Sequence, residues 1–290
     1  MKRNAHLGHS LPRGVIAALL ALILATALAL PAFADGWYCP DCGRYNDSNY
    51  CPKDGTKKPT DLDENVSESW GGGQSGGRQP VQRQLCVGDS ICLGTYEQDN
   101  LGGQQEAIEW IVLETKGNNA LLLSRYGLEA GQPFLNRYAA CTWETSSVRE
   151  WLNGDFLNNV FTSAESGCIL ETWVDNGKAQ GNPKWSTQGG ESTLDRLFLL
   201  SYAEAVTYFG TNEARRCAPT DYALSQGAWT YDKYSPEGRL SGVWWLRSPG
   251  ETRNYAACVD LQGSALYQNS VGNNYVCVRP AMWVDMTKLP

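Results

Sequence analysis

GVWWLRSPG, Gly242 to Gly250, sets one arginine into a run of large apolar side chains. Val243, Trp244, Trp245 and Leu246 read as a buried strand that ends at a Ser-Pro-Gly turn. A guanidinium in such a strand must find a carboxylate or several carbonyls, because an unpaired buried charge is very costly. The pattern returns in YVCVRPAMWV, Tyr275 to Val284, where Arg279 interrupts the last apolar run. Two readings of Arg247 and Arg279 stand. They line an anion pocket, or they form structural salt bridges tying the last strands to helices upstream; the second is preferred. Trp244, Trp245 and Trp283 read as core rather than as a sugar platform.

Outward from this strand the elements alternate in kind. YAACVDLQ (255–262) and ALYQ (265–268) read as a hairpin turning on Gly263-Ser264. Upstream, TDYALSQG (220–227) is a short helix stopped by Gly227. Ser201 and Glu204 have capping-box spacing before AEAVTYF, which Gly210 closes. RLFLL (196–200) reads as a buried strand. Thr162 with Glu165 and Ser147 with Glu150 repeat the capping spacing, and Val148, Trp151 and Leu152 make one apolar helix face. EAIEWIVLE and NNALLLSRYGL form a hairpin around Thr115–Asn119. QLCVGDSICLGTYEQD (84–99) suggests two short strands about a Gly-Asp turn. Strands, then helices, then strands imply a compact α+β domain over 84–290 with many irregular loops.

The N-terminal part has a different character. A basic start without acids, an uncharged apolar run from Val15 to Pro31, and Ala32-Phe33-Ala34 form a secretory signal peptide over 1–34. The competing reading is an uncleaved anchor. The apolar run is short against the roughly 20 residues of a span, which favours cleavage. The protein is therefore expected to be secreted or held at the cell surface, touching membrane only through this segment if it is uncleaved. Its removal takes away Lys2, Arg3 and Arg13 and no acid, so the formal net charge moves from −7 to −10. That balance argues against nucleic acid or anionic lipid as a partner. Both histidines, His6 and His9, leave with it. Without them, Ser-His-Asp and Cys-His nucleophiles, the H-E-x-x-H zinc protease motif and histidine-ligated iron or copper are excluded.

Residues 35–56 form a cysteine-rich knob with the spacing C-x2-C-x8-C-x2-D. Cys39, Cys42, Cys51 and Asp54 could hold one structural zinc as a zinc-ribbon-like knuckle, Asp54 supplying oxygen where sulfur is usual. The alternative is a remnant with free or oxidised thiols. About twenty residues bury no core, so a metal staple is favoured. A polar, then Gly-rich linker follows over 57–83. The seven later cysteines are Cys86, Cys92, Cys141, Cys168, Cys217, Cys258 and Cys277, mostly small core residues, with Cys258 and Cys277 the best candidate disulfide.

The stretches VGDSICLGTYEQD, IEWIVLE, ALLLSRYGL, TWETSSVREWLN, FLLS, WWLRSPG and VRPAMW, in this order, resemble an uncharacterised domain of exported bacterial proteins over residues 85–290. That domain is similar to the C-type-lectin-like and formylglycine-generating (sulfatase-modifying-factor-like) fold. The chain departs from the relatives with known chemistry. It lacks the close cysteine pair of the formylglycine-generating enzymes, the histidines of the iron-dependent branch, and the paired motifs of calcium lectins. The resemblance implies that the terminal region builds a ligand face, and here that region offers Asn254, Tyr255, Gln262, Tyr267, Asn269, Asn273, Asn274 and Tyr275. Aromatic rings beside amides suit sugars or peptide surfaces, whereas Asn is also simply common in turns. The expected function is a non-catalytic binding module for a glycan, a cell-wall polymer or a surface protein. The alternative is an enzyme without histidine, either a cysteine-based oxidase or a glycoside hydrolase drawing on Glu97, Asp99, Glu106, Glu109, Asp195 or Asp260.

Overall fold

The computed structural model describes residues 85–290 and the backbone of Trp37–Tyr38 (β1) and Tyr45–Asn46 (β2), which pair antiparallel. The signal segment, the ligand set Cys39, Cys42, Cys51 and Asp54, and the linker lie outside the described residues. The chain divides into two units, Met1–Ser69 and Trp70–Pro290. The architecture is mixed α+β, mostly strands with a few short helices, and includes a curled half-barrel sheet. Among the described residues no helix is long and apolar enough to cross a membrane.

β3 (Ser90–Tyr96), β4 (Glu106–Lys116) and β5 (Asn119–Ser124) run as an antiparallel meander. The expected β4–β5 hairpin is present, turning tightly on Gly117 and Asn118. The two short strands expected around Gly88-Asp89 are one: the chain before Ser90 is a turn, held by Cys86 N–H donating to Asp89 Oδ2 at 2.9 Å. In β4, Ile108, Trp110 and Val112 are buried while their neighbours are partly exposed, the alternation of a half-buried strand. β5, between β13 and β4, is buried on both faces from Ala120 to Ser124.

The helical segment follows. Ser147–Trp151 (α1) passes through a π-turn, Leu152–Phe156, into Leu157–Val160 (α2). Its cap is Ser146, accepting from Arg149 N–H, rather than the expected Ser147. Ser163–Cys168 (α3) carries the expected Thr162–Glu165 capping box. β6 (Thr172–Val174) and β7 (Thr193–Asp195) form a separate two-stranded ribbon. The RLFLL segment is buried as expected but is not a ladder strand; apart from Arg196 it lies at 3 % exposure or less, and it touches the sheet through one bridge, Phe198 to Ala281. Tyr202–Tyr208 (α4) has the expected Ser201–Glu204 capping box. Asn212–Arg215 (α5) and Asp221–Ser225 (α6) follow, the latter capped by Thr220.

β8 (Thr230–Tyr234) and β9 (Leu240–Gly242) make a bulged ribbon. β10 (Trp244–Pro249), β11 (Tyr255–Val259) and β12 (Tyr267–Ser270) make the second main sheet. The β11–β12 connection is longer than the expected Gly-Ser turn and runs from Asp260 to Leu266. Asp260 Oδ1 accepts from both Gln262 and Ser264 N–H at 2.9 Å. Gly263 has φ +83°, and a Cβ there would lie 1.7 Å from the Asn212 carbonyl oxygen. β13 (Ala281–Asp285) leaves the terminal sheet altogether and pairs with β5. The strand expected over 275–284 therefore splits: Cys277 bridges β10, and Ala281 onward completes the first sheet.

Arg247 sits where β10 bulges, between the Trp245–Cys258 and Pro249–Ala256 pairs. Its side chain is 2 % exposed. As expected from sequence it is a structural ion pair to a helix: both guanidinium Nη atoms reach Glu204, Nη2 at 2.8 Å. It also donates to the carbonyls of Leu199 (2.9 Å) and Asp175 (3.0 Å) and to Asn176 Oδ1 (3.2 Å). Arg279 corrects the parallel expectation, because no carboxylate among the described residues reaches it. Its Nε donates to Ser124 O at 2.9 Å and Nη2 to Arg125 O at 3.2 Å, and the guanidinium lies over Trp244 at 4.9 Å and Phe209 at 5.5 Å. Carbonyls and ring faces take the place of the acid.

Glu204 thus serves its own capping box and the buried arginine together. Glu204→Ala leaves Arg247 buried without its counter-charge and should cost roughly 3–5 kcal/mol. Ser201→Ala, which removes the cap and the bond from the same hydroxyl to Gln180 Oε1, should cost about 1–2 kcal/mol. The two urea unfolding midpoints measure this; equal losses would mean that Glu204 acts as a cap alone.

Candidate functional site

The β11–β12 register divides the residues expected at the ligand face. Tyr255 lies opposite Ser270 and shares its face with Gln268, whereas Tyr267 lies opposite Cys258 and shares its face with Asn269 and Ala256. Tyr255 and Tyr267 are 37 % and 40 % exposed, on opposite sides of the sheet. The single surface drawn from sequence is therefore two.

The Tyr267 side holds a connected set. Asn269 is buried and its Oδ1 accepts from Ser270 N–H at 3.0 Å, from Tyr275 OH at 3.1 Å and from Asn273 Nδ2. Asn273 Nδ2 also donates to Tyr275 OH at 2.9 Å, and Asn273 N–H to Ser270 O at 3.0 Å. Asn269 therefore supports the face from below, with Nδ2 buried and unpartnered. The Tyr275 ring meets Trp229 edge-on at 6.0 Å, and Trp229 N–H donates to Tyr275 O at 3.1 Å. Trp229 is 46 % exposed. Desolvation raises the Tyr267 phenol above its ordinary value, with Cys258, Tyr275 and Asp260 near enough to add to the effect. The Tyr267 hydroxyl is therefore a neutral hydrogen-bonding group at neutral pH. Trp229, Tyr267 and Tyr275, with Asn273 beside them, make a firm aromatic–amide patch.

Of the remaining expected residues, Asn254 is half-buried and its backbone carbonyl accepts from Val271 N–H at 3.1 Å; Gln262 and Asn274 are exposed. Sequence reading missed Trp229. It stands alone behind the Gly227 stop, and its backbone and ring contacts to Tyr275 bring it to the site.

The carboxylates of the hydrolytic alternative are mostly engaged. Asp195 is buried, accepting from Trp143 Nε1 (2.8 Å), Thr193 Oγ1 (2.6 Å) and Arg149 Nε (2.6 Å). Asp260 holds its turn, and Glu109 pairs with Arg125 at 2.8 Å. Glu97, Asp99 and Glu106 do converge, with one oxygen of each within 4.8 Å of the others. Oxygen ligands so placed are of the kind hard cations take. Glu106 Oε2 already accepts from the N–H groups of Gln98 (2.6 Å) and Asp99 (3.2 Å).

The disulfide expected between Cys258 and Cys277 is not formed; both thiols are free and buried. The reason is topological. Cys258 pairs across β10 with Trp245, while Cys277 bridges Trp244 and its carbonyl accepts from Trp245 N–H, so β10 runs between them. Two strand spacings come to about 9.5 Å, beyond what a disulfide spans. Burial pushes the Cys141 and Cys168 thiols up to about 11, and raises those of Cys217, Cys258 and Cys277 as well. Cys86 and Cys92 are exposed. Brief iodoacetamide treatment of the native chain at pH 8 should therefore label Cys86 and Cys92 well ahead of the five buried thiols. Peptide mass spectrometry reads this out, and a Cys258–Cys277 peptide under non-reducing conditions would contradict the topology.

None of the curated proteins and none of the solved structures compared matches the chain. One family does match, over residues 117–286, from the β4–β5 turn to just past β13. That span holds Arg247, Glu204, Arg279 and the aromatic–amide patch, and the chain belongs to the family described as a domain of unknown function (DUF6273).

Proposed function

We propose that the chain is an exported, non-catalytic binding module, and that the patch of Trp229, Tyr267, Asn273 and Tyr275 is its ligand face. The observation that carries this reading is the patch itself: partly exposed rings and an amide, each fixed by strand pairing or a hydrogen bond. Ring faces pack on the apolar sides of sugar rings while amides meet their hydroxyls, so a glycan or cell-wall polymer suits it best among the surface ligands expected from sequence. Little entropy is lost on binding because the patch is already ordered. On the same reading the domain is a lectin-like variant of the α+β class, carried out of the cell by residues 1–34. Zinc held by Cys39, Cys42, Cys51 and Asp54 staples the N-terminal knob.

The test is titration of the full chain against a panel of glycans and cell-wall fragments, with product analysis of the same samples. Saturable binding with unchanged ligand is expected, and turnover would overturn the reading. Trp229→Ala and Tyr267→Ala should each weaken binding roughly tenfold, as anchor residues do, while Tyr255→Ala leaves it unchanged. Metal analysis should return about one zinc per chain, lost in the Cys39→Ser/Cys42→Ser variant; a metal-free wild-type chain would remove the zinc proposal.

A further inference from the structure

A concavity of ligand size, about 400 Å³, opens between the helical turn Trp143–Thr145, the loop at Gly190–Glu191 and Arg253. Its walls are fixed. Trp143 is anchored by its ring N–H on buried Asp195, and Thr142 N–H donates to Thr145 Oγ1 at 3.2 Å. Gly190 has φ +95°, and a Cβ there would come within 3.0 Å of the Thr142 side chain, so the loop backbone rests directly on Thr142. Cys141 N–H donates to the Arg253 carbonyl at 2.9 Å, which seats the arginine's own backbone against the floor.

The charges around this preformed cleft are of both signs and do not neutralise one another. Glu144, Glu191 and Arg253 are exposed, and none of them takes part in an ion pair among the described residues. Among the described residues their side chains are not drawn into hydrogen bonds either: Glu144 and Glu191 accept there through backbone carbonyls, from Arg149 Nη1 and Asn176 Nδ2. A simple anion would meet two carboxylates, and a simple cation would meet the guanidinium. A molecule carrying both an ammonium and a carboxylate satisfies both signs, the arginine fork taking the carboxylate in two parallel hydrogen bonds. The Thr142 and Thr145 hydroxyls add neutral partners.

We propose that this cleft is a binding site for a small zwitterion of the α-amino-acid class, separate from the aromatic face. Two carboxylates facing one guanidinium rank basic amino acids above neutral ones and acidic ones last. The test is calorimetric titration of the full chain with lysine, alanine and glutamate, and with lysinamide and Nα-acetyl-lysine as ligands lacking one charge. Saturable binding in the order lysine, alanine, glutamate is expected, with lysinamide weakened. Arg253→Ala should weaken lysine about tenfold or more, as loss of a charged hydrogen-bond partner does. Glu191→Gln should weaken lysine while sparing Nα-acetyl-lysine relative to it. Tyr267→Ala should leave lysine binding unchanged, which keeps this outcome distinct from that of the aromatic face. All three positions are exposed, so unaltered circular dichroism is expected. Absence of saturable lysine binding, equal binding of lysine and lysinamide, or an Arg253→Ala variant that binds as wild type would each overturn the proposal.

Discussion

The Arg247–Glu204 pair is the constraint around which the second half of the domain is arranged. β10 is buried from end to end, so a guanidinium in it must be satisfied entirely from within the protein. The bulge turns Arg247 away from β11 and toward the helical side, where its backbone N–H donates to Leu200 O at 2.9 Å. One side chain thereby fixes the first turn of α4, the 199–200 segment and the 175–176 corner. The capping box orients the same carboxylate that the arginine meets, because Ser201 N–H donates to Glu204 Oε2 at 2.8 Å. Local helix chemistry and tertiary charge pairing therefore use the same carboxylate.

Arg279 solves a similar problem by other means. It lies at the corner where the terminal segment passes from bridging β10 to pairing with β5, and no acid of the described residues pairs with it. Trp244 supplies a ring face to this arginine and a ladder partner to Val259, so the two sheets share one aromatic. Ser124 is held from both sides, its N–H donating to Pro280 O and its carbonyl accepting from Arg279. The passage from one sheet to the other is thus secured by hydrogen bonds to main chain, which a one-residue slip would break together.

Both candidate binding surfaces stand on this frame. The aromatic–amide patch rests on β11–β12, and the charged cleft rests on Trp143, itself tied to Asp195. In each case a buried polar group holds part of the surface in place: Asn269 holds half-buried Asn273 and Tyr275, and Asp195 holds the buried ring of Trp143 beneath the cleft. A surface held this way keeps its shape without a ligand, which is the property recognition requires.

Much of the local structure was legible in the residues. Capping boxes at Thr162 and Ser201, the β4–β5 hairpin, the core tryptophans Trp244 and Trp245 and a structural role for Arg247 follow from spacing, period and the cost of burying charge, all of which act over a few residues. The pairing of distant segments was not legible. That β13 joins β5, that β10 separates Cys258 from Cys277, and that RLFLL is core without being a strand depend on partners remote in sequence. The same holds for function. Residue types named Tyr255 and Tyr267 together, but the two-residue period of a strand, applied to a register that only the fold fixes, sends them to opposite faces. Trp229 beside Tyr275, and the opposed charges of Glu144, Glu191 and Arg253 around a separate cleft, carry no shared sequence signal, because only tertiary packing brings the members of each group together.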